Sequence, residues 1–133
     1  MNNATVLVVE SEREDRESIG SWLENAGFQV MACPGPRAPS YLCVGGREGW
    51  CPLIEPSDVV VIDLRLASED VMEGTAAVEL LALYTSSGKP VVALGPDTRI
   101  ATVFTPAVHA VPWPADARSL VGAVRDALKP RIV

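Results

Sequence analysis

A chain of 133 residues, 48% of them hydrophobic, is long enough to build one core without disulfides or metal staples. Its net charge of −6 and pI near 4.7 argue against a surface that grips phosphate backbones, which runs on clustered Lys and Arg. Apolar runs such as those at 5–9 and 59–62 fall far short of the roughly 20 residues a membrane-spanning helix needs. The start, Met1-Asn2-Asn3-Ala4, lacks the basic residues and apolar stretch of a secretory signal. The expectation is a single domain over 1–133 in the cytoplasm. Cys33, Cys43 and Cys51 form an odd set with no C-x-x-C pair, which disfavours both a disulfide framework and a zinc site shared with His109.

Thr5-Val6-Leu7-Val8-Val9 is a continuous apolar, largely β-branched run, the composition of a strand covered on both faces in a parallel sheet. Polar and acidic residues follow, and Ile19, Trp22, Leu23 and Ala26 then recur at helical spacing until Gly27 closes the helix. Residues 28–32 read as a second strand. From 33 to 56 the chain is broken by Pro34, Gly35, Pro36, Pro39, Gly45, Gly46, Gly49, Pro52 and Pro56, so a second helix is short or irregular. Tyr41 and Trp50 in this stretch either pin the loop to the core or wall a small-ligand pocket. Asp58-Val59-Val60-Val61-Ile62-Asp63 is a third strand that closes on a carboxylate. Ala76, Ala77, Leu80, Leu81 and Leu83 mark a helix, and Gly88-Lys89-Pro90 turns the chain into a fourth strand, Val91-Val92-Ala93-Leu94. A weaker segment at 98–104 precedes a fifth strand at 107–111, where His109 reads as structural. Residues 114–128 form a helix with Leu120, Val121, Val124 and Leu128 on one face. Five alternations of strand and helix, joined by right-handed crossovers, predict an α/β fold with helices on both faces of a parallel sheet.

In an open parallel sheet, ligands gather beyond the carboxyl ends of the strands, near the point where strand order reverses. The ends of the first, third, fourth and fifth strands present Glu10-Ser11-Glu12, Asp63, Gly95 and Trp113. An acid that ends an apolar strand beside a second acid points to a site more than to a solvated turn. Glu14 and Asp15 read instead as solvated first-turn residues that complement the helix dipole. No dinucleotide fingerprint, P-loop, nucleophile elbow or Ser-His-Asp set with recognisable spacing occurs, which argues against an enzyme.

With Val6-Leu7-Val8-Val9-Glu10-Ser11-Glu12 as an acidic first turn, Asp58 through Leu64 as the third strand, Met72-Glu73-Gly74 in the loop beyond, and Trp113-Pro114 where Lys-Pro is usual, the sequence resembles the receiver domains of two-component response regulators. The resemblance spans nearly the whole chain and implies a flavodoxin-like (βα)5 fold with a five-stranded parallel sheet and a phosphoacceptor at Asp63. Phosphotransfer in that family needs the nucleophilic Asp, two acids for Mg²⁺, a Thr or Ser on the phosphoryl group and a Lys paired with it. The cation matters most, because a phosphoryl dianion is repelled by a carboxylate until a divalent metal bridges them. Here Glu10 fills the first acidic position on a longer arm, whereas Ser11 offers only a hydroxyl at the second. Gly95 lacks the hydroxyl and Trp113 removes the positive charge.

With three of those five roles unfilled, the expectation is a degenerate receiver that phosphorylates slowly or not at all. Mg²⁺ is held weakly, by Glu10 and Asp63 with the backbone of Arg65, and Gly95 and Trp113 are altered switch positions. Arg65, Glu12, Glu69, Asp70 and Glu73 could rebuild part of the lost charge. The output is a surface, with a histidine kinase or another signalling protein as partner, or a homodimer, formed through the face built from 98–128. Trp113 either covers apolar surface or, with Pro114, anchors that interface. The alternative function is a small-molecule sensor whose altered acidic pocket or 33–56 loop takes a ligand in place of phosphate.

Overall fold

β-Branched side chains have few χ1 options and pack well on a pleated surface, and the computed structural model builds its sheet from them. The structure describes residues 4–10, 12–33, 54–63, 86–95 and 108–129. The strands are β1 (Thr5–Val9), β2 (Gln29–Cys33), β3 (Val59–Asp63), β4 (Val91–Leu94) and β5 (Val108–Val111). Every pairing is parallel, and the order is β2-β1-β3-β4-β5. The first and fourth strands have the expected bounds, and the other three begin one residue later than expected. The 34–53 segment with Tyr41, Cys43, Trp50 and Cys51, the helix expected around 76–83 and the 98–104 segment lie outside the described residues.

Two described helices, α1 (Arg13–Asn25) and α2 (Ala117–Leu128), pack on one face of the sheet. Glu14 and Asp15 sit in the first turn of α1, where the dipole favours acids. The helix stops where the sequence predicts. Gly27 takes φ 97°, its N–H bonds Glu24 O at 3.0 Å and the Phe28 N–H reaches Leu23 O at 3.0 Å, the paired bonds of a Schellman ending. The final helix, expected from 114, begins at Ala117. Its N-cap is Asp116, whose side chain accepts from the Ser119 N–H at 2.7 Å, so 114–116 form a non-helical lead-in that follows a cis Trp113–Pro114 peptide.

Alternating strand residues divide between the two faces. Val6, Val8, Val59, Val61, Val92 and Leu94 meet Ile19 and Leu23 of α1 and Leu120 and Val124 of α2 in one core. Leu7, Val9, Val60, Ile62, Val91 and Ala93 are equally buried, so the sheet is covered on both sides. Each fully buried Val or Leu contributes about 1.5–3 kcal/mol of apolar transfer, which makes this double-faced sheet the rigid platform for whatever stands at its edge. Among the described residues no helix is long and apolar enough to cross a membrane.

Candidate functional site: two acids at the switch point

From β1 the chain moves outward to β2 and then returns to place β3 on the other side of β1. The crevice where strand order reverses therefore opens between the carboxyl ends of β1 and β3. In the β1–β3 register Val9 partners Ile62, and one step further Glu10 stands beside Asp63. Strand parity sends both side chains to the α1–α2 face, because Glu10 follows Val6 and Val8, and Asp63 follows Val59 and Val61. Glu10 is 1% exposed and Asp63 2%, so two carboxylates share a desolvated edge.

Glu10 is built into the turn it begins. Its N–H bonds Cys33 O at 3.0 Å, its Oε2 accepts from the Glu12 N–H at 3.1 Å, and its carbonyl accepts from Arg16 Nη1 at 3.0 Å. Arg16 is the residue the sequence reading missed. Arg13 and Arg16 are alike in sequence, but Arg13 spends its guanidinium on an exposed i,i+4 pair with Glu17 at 3.1 Å, whereas Arg16 turns inward and brings a cation to the base of the acid pair. The spacing of six residues from Glu10 across a helix start is the only sequence signal for it. Glu12, considered as a helper acid, is exposed at the N-cap of α1 and contributes its backbone N–H.

Asp63 pairs with Leu94 across β3–β4. Gly95 follows Leu94, is buried, and its N–H bonds Val111 O at 3.2 Å, which ties the end of β4 to β5. Trp113 lies just past β5, half-buried against the core, with its ring centroid 6.4 Å from that of Trp22 at an interplanar angle of 42°, within the range of attractive aromatic pairs. Its ring thus covers the helix layer. Pro114 is exposed beside it. Ser11, Arg65, Glu69, Asp70 and Glu73 lie outside the described residues.

Chemically, Glu10 and Asp63 offer hard oxygen donors on adjacent strands. No group of three or more His, Cys, Asp or Glu side chains comes together among the described residues, and no buried polar side-chain atom there lacks a hydrogen-bond partner. Two carboxylates suit Mg²⁺, which keeps several waters and is commonly held by one or two acids. The donor set therefore fits that ion.

Solved receiver domains share this architecture. A response regulator receiver protein from Sinorhizobium medicae superposes with a TM-score of 0.69 at 19% identity, covering 96% of this chain and 95% of that one. A response regulator receiver domain from Clostridium thermocellum gives 0.67 at 19% identity, with 94% of each chain covered, and FixJ-N gives 0.67 at 22% identity over 100% of this chain and 99% of that one. No protein-family model and no curated protein matches the sequence. The chain has the fold of a response-regulator receiver domain, a flavodoxin-like five-stranded parallel sheet, as the resemblance implied.

Proposed function

We propose that the chain is a degenerate receiver module of a two-component type signalling system, which works through protein contacts and phosphorylates at Asp63 slowly or not at all. The observation that carries this reading is the commitment of Trp113 to Trp22 at the position where a receiver offers a lysine to the phosphoryl group. An aromatic ring packed on α1 supplies no charge to offset three phosphoryl oxygens. The other departures add to it: Gly95 brings a backbone bond to Val111 and no hydroxyl, and one oxygen of Glu10 already serves the Glu12 N–H.

Asp63 is the candidate phosphoacceptor in this reading, and Glu10 and Asp63 would hold Mg²⁺ weakly, with the backbone of Arg65 as a further ligand. When bound, that ion neutralises carboxylate charge at the crevice. Arg16 fixes the Glu10 backbone in place and leaves its own positive charge at the α1 side of the pair. The chain performs no catalysis beyond self-phosphorylation. Its partner is a histidine kinase or another signalling protein, and a homodimer through the face that carries Trp113 and Pro114 is the other arrangement the reading allows.

Titration with Mg²⁺ and then beryllofluoride, followed by amide NMR of the wild type and of Asp63→Asn, tests the proposal, because beryllofluoride imitates a phosphoryl group on aspartate without a kinase. The expected result is no saturable beryllofluoride shift at millimolar Mg²⁺ in the folded protein. Saturable shifts around Asp63 that vanish in Asp63→Asn would show a working phosphoacceptor and end the degenerate reading.

A further inference from the structure

One surface runs against the overall net charge of −6. A groove of about 410 Å³ lies between α1 and α2, with Trp22 and Ala26 on one wall and Arg118, Val121, Gly122 and Arg125 on the other. Among the described residues its lining includes two arginines and no Asp or Glu. Arg118 and Arg125 stand seven residues apart, two turns along the same face of α2 and about 10.5 Å along its axis. Both are exposed, and neither forms a salt bridge with another described residue. Nearby Asp116 caps Ser119 and lies within electrostatic reach of Arg118 without forming a salt bridge to it, and Asp126 pairs with Lys129 at 3.2 Å.

Gly122 is the second, independent feature. Glycine weakens a helix interior relative to alanine, yet it stands in the middle of α2, where an added Cβ would meet nothing within 4 Å. Packing inside the domain does not call for it. What the missing side chain does is keep the floor of the groove low beside the half-buried Trp22 and Val121, so that another backbone can approach closely.

We infer that this groove docks an acidic amphipathic helix of a partner protein. The apolar stripe of that helix covers Trp22, Ala26 and Val121 with its backbone close to Gly122, and two acids at i and i+7 meet Arg118 and Arg125. Helix-in-groove recognition uses such an apolar stripe for affinity, and charges at its edges for register and on-rate. Nucleic acid or an anionic bilayer would call for a broader cationic field than two arginines on an acidic chain. A second copy seated symmetrically would set arginine against arginine. The inference goes beyond the reading of Asp63 above: neither Glu10 nor Asp63 lines the groove, and a beryllofluoride response does not test it.

The experiment titrates the ¹⁵N-labelled full chain with a synthetic helical peptide that has a Leu/Ala stripe and Glu at i and i+7. The controls are its Glu→Lys counterpart and an all-Glu peptide without the stripe. With the acidic amphipathic peptide, the Trp22 indole N–H, assigned by Trp22→Phe, and the amides of 118–125 are expected to shift saturably. Neither control should move them. Affinity falls at least tenfold in Arg118→Glu/Arg125→Glu and in Gly122→Leu, which fills open space and leaves the thermal midpoint at or above that of the wild type. No shift at millimolar acidic peptide overturns the inference, as does equal binding of the basic peptide or undiminished binding by Gly122→Leu. Concentration-dependent shifts of the same resonances without peptide would assign the groove to a second copy. Larger shifts with phosphatidylserine vesicles than with peptide would assign it to a bilayer, and either result overturns the proposal.

Discussion

Replacing Asp63 with Asn keeps the shape of the side chain and removes one of two negative charges from a nearly dry strand edge. Neighbouring strands lie about 4.8 Å apart, and two unit charges about 5 Å apart at an effective dielectric near 20 repel by about 3 kcal/mol. The Glu12 N–H that bonds Glu10 Oε2 and the positive charge of Arg16 on the Glu10 carbonyl are among the groups that offset part of this. Asp63→Asn is therefore expected to stabilise the domain by about 1–3 kcal/mol at pH 7, which for a chain of this size raises the thermal midpoint by roughly 3–10 °C. Mg²⁺ relieves the same repulsion by binding the folded state, so millimolar MgCl₂ should raise the midpoint of the wild type and leave Asp63→Asn almost unmoved. Urea denaturation and calorimetry of both proteins, with and without the ion, measure each quantity. A variant less stable than the wild type, or one with the same Mg²⁺ increment, would refute the idea that the two carboxylates oppose each other and share a cation. Glu10→Gln should change stability in the same direction by less, because Glu10 already has a backbone donor on one oxygen.

Two glycines should respond to alanine with opposite signs. Gly27 sits at φ 97°, where a Cβ is strained, and Gly27→Ala should cost about 1–2 kcal/mol; Gly122→Ala should add about 0.5–1 kcal/mol to a helix with room for it. Chemical denaturation compares them, and shifts of the same sign would contradict the backbone assignment. Bonds from Ser119, the backbone N–H foremost, hold the Asp116 carboxyl below the usual carboxylate range. A pKa lower in the folded than in the unfolded state gives stability that is fully present above the unfolded value and is lost as pH falls through the folded one. The thermal midpoint of Asp116→Ala should thus lie below that of the wild type at pH 7, and the gap should close in strong acid; a gap independent of pH would mean that the capping charge contributes nothing.

How far the fold was legible depended on what kind of signal each element carried. Val91-Val92-Ala93-Leu94 is apolar throughout and bounded by Lys89-Pro90 and Gly95-Pro96, so a strand buried on both faces was plain from composition. The start of α2 was less so, because two signals compete there: a proline suited to a first helical turn at 114, and an Asp-x-x-Ser cap at 116–119. The cap won, as its side-chain bond satisfies a helix N–H that Pro114 cannot. The acid pair could be read because sheet topology alone decides which residues end at the switch point. The bonds that Glu10 makes to Glu12 and Arg16 could not, since they depend on how α1 is rotated over the sheet, and Arg13 and Arg16 differ only in that rotation. For Trp113 the two readings were equal in sequence, and what the ring does depends on Trp22, some ninety residues earlier in the chain and brought beside it only by the packing of α1 and the end of β5.

Glu10 is bolted to α1 twice, through its carboxylate to the Glu12 N–H and through its carbonyl to Arg16. The acid pair and the helix therefore form one thermodynamic unit. A cation that draws the carboxylate away breaks its bond to the N-cap N–H of α1, and by reciprocity anything that strengthens that bond changes the affinity for the cation by the same factor. Because Trp22 rides on the same helix, news of occupancy at the strand ends would travel to the far helix face as the tilt of a rigid rod.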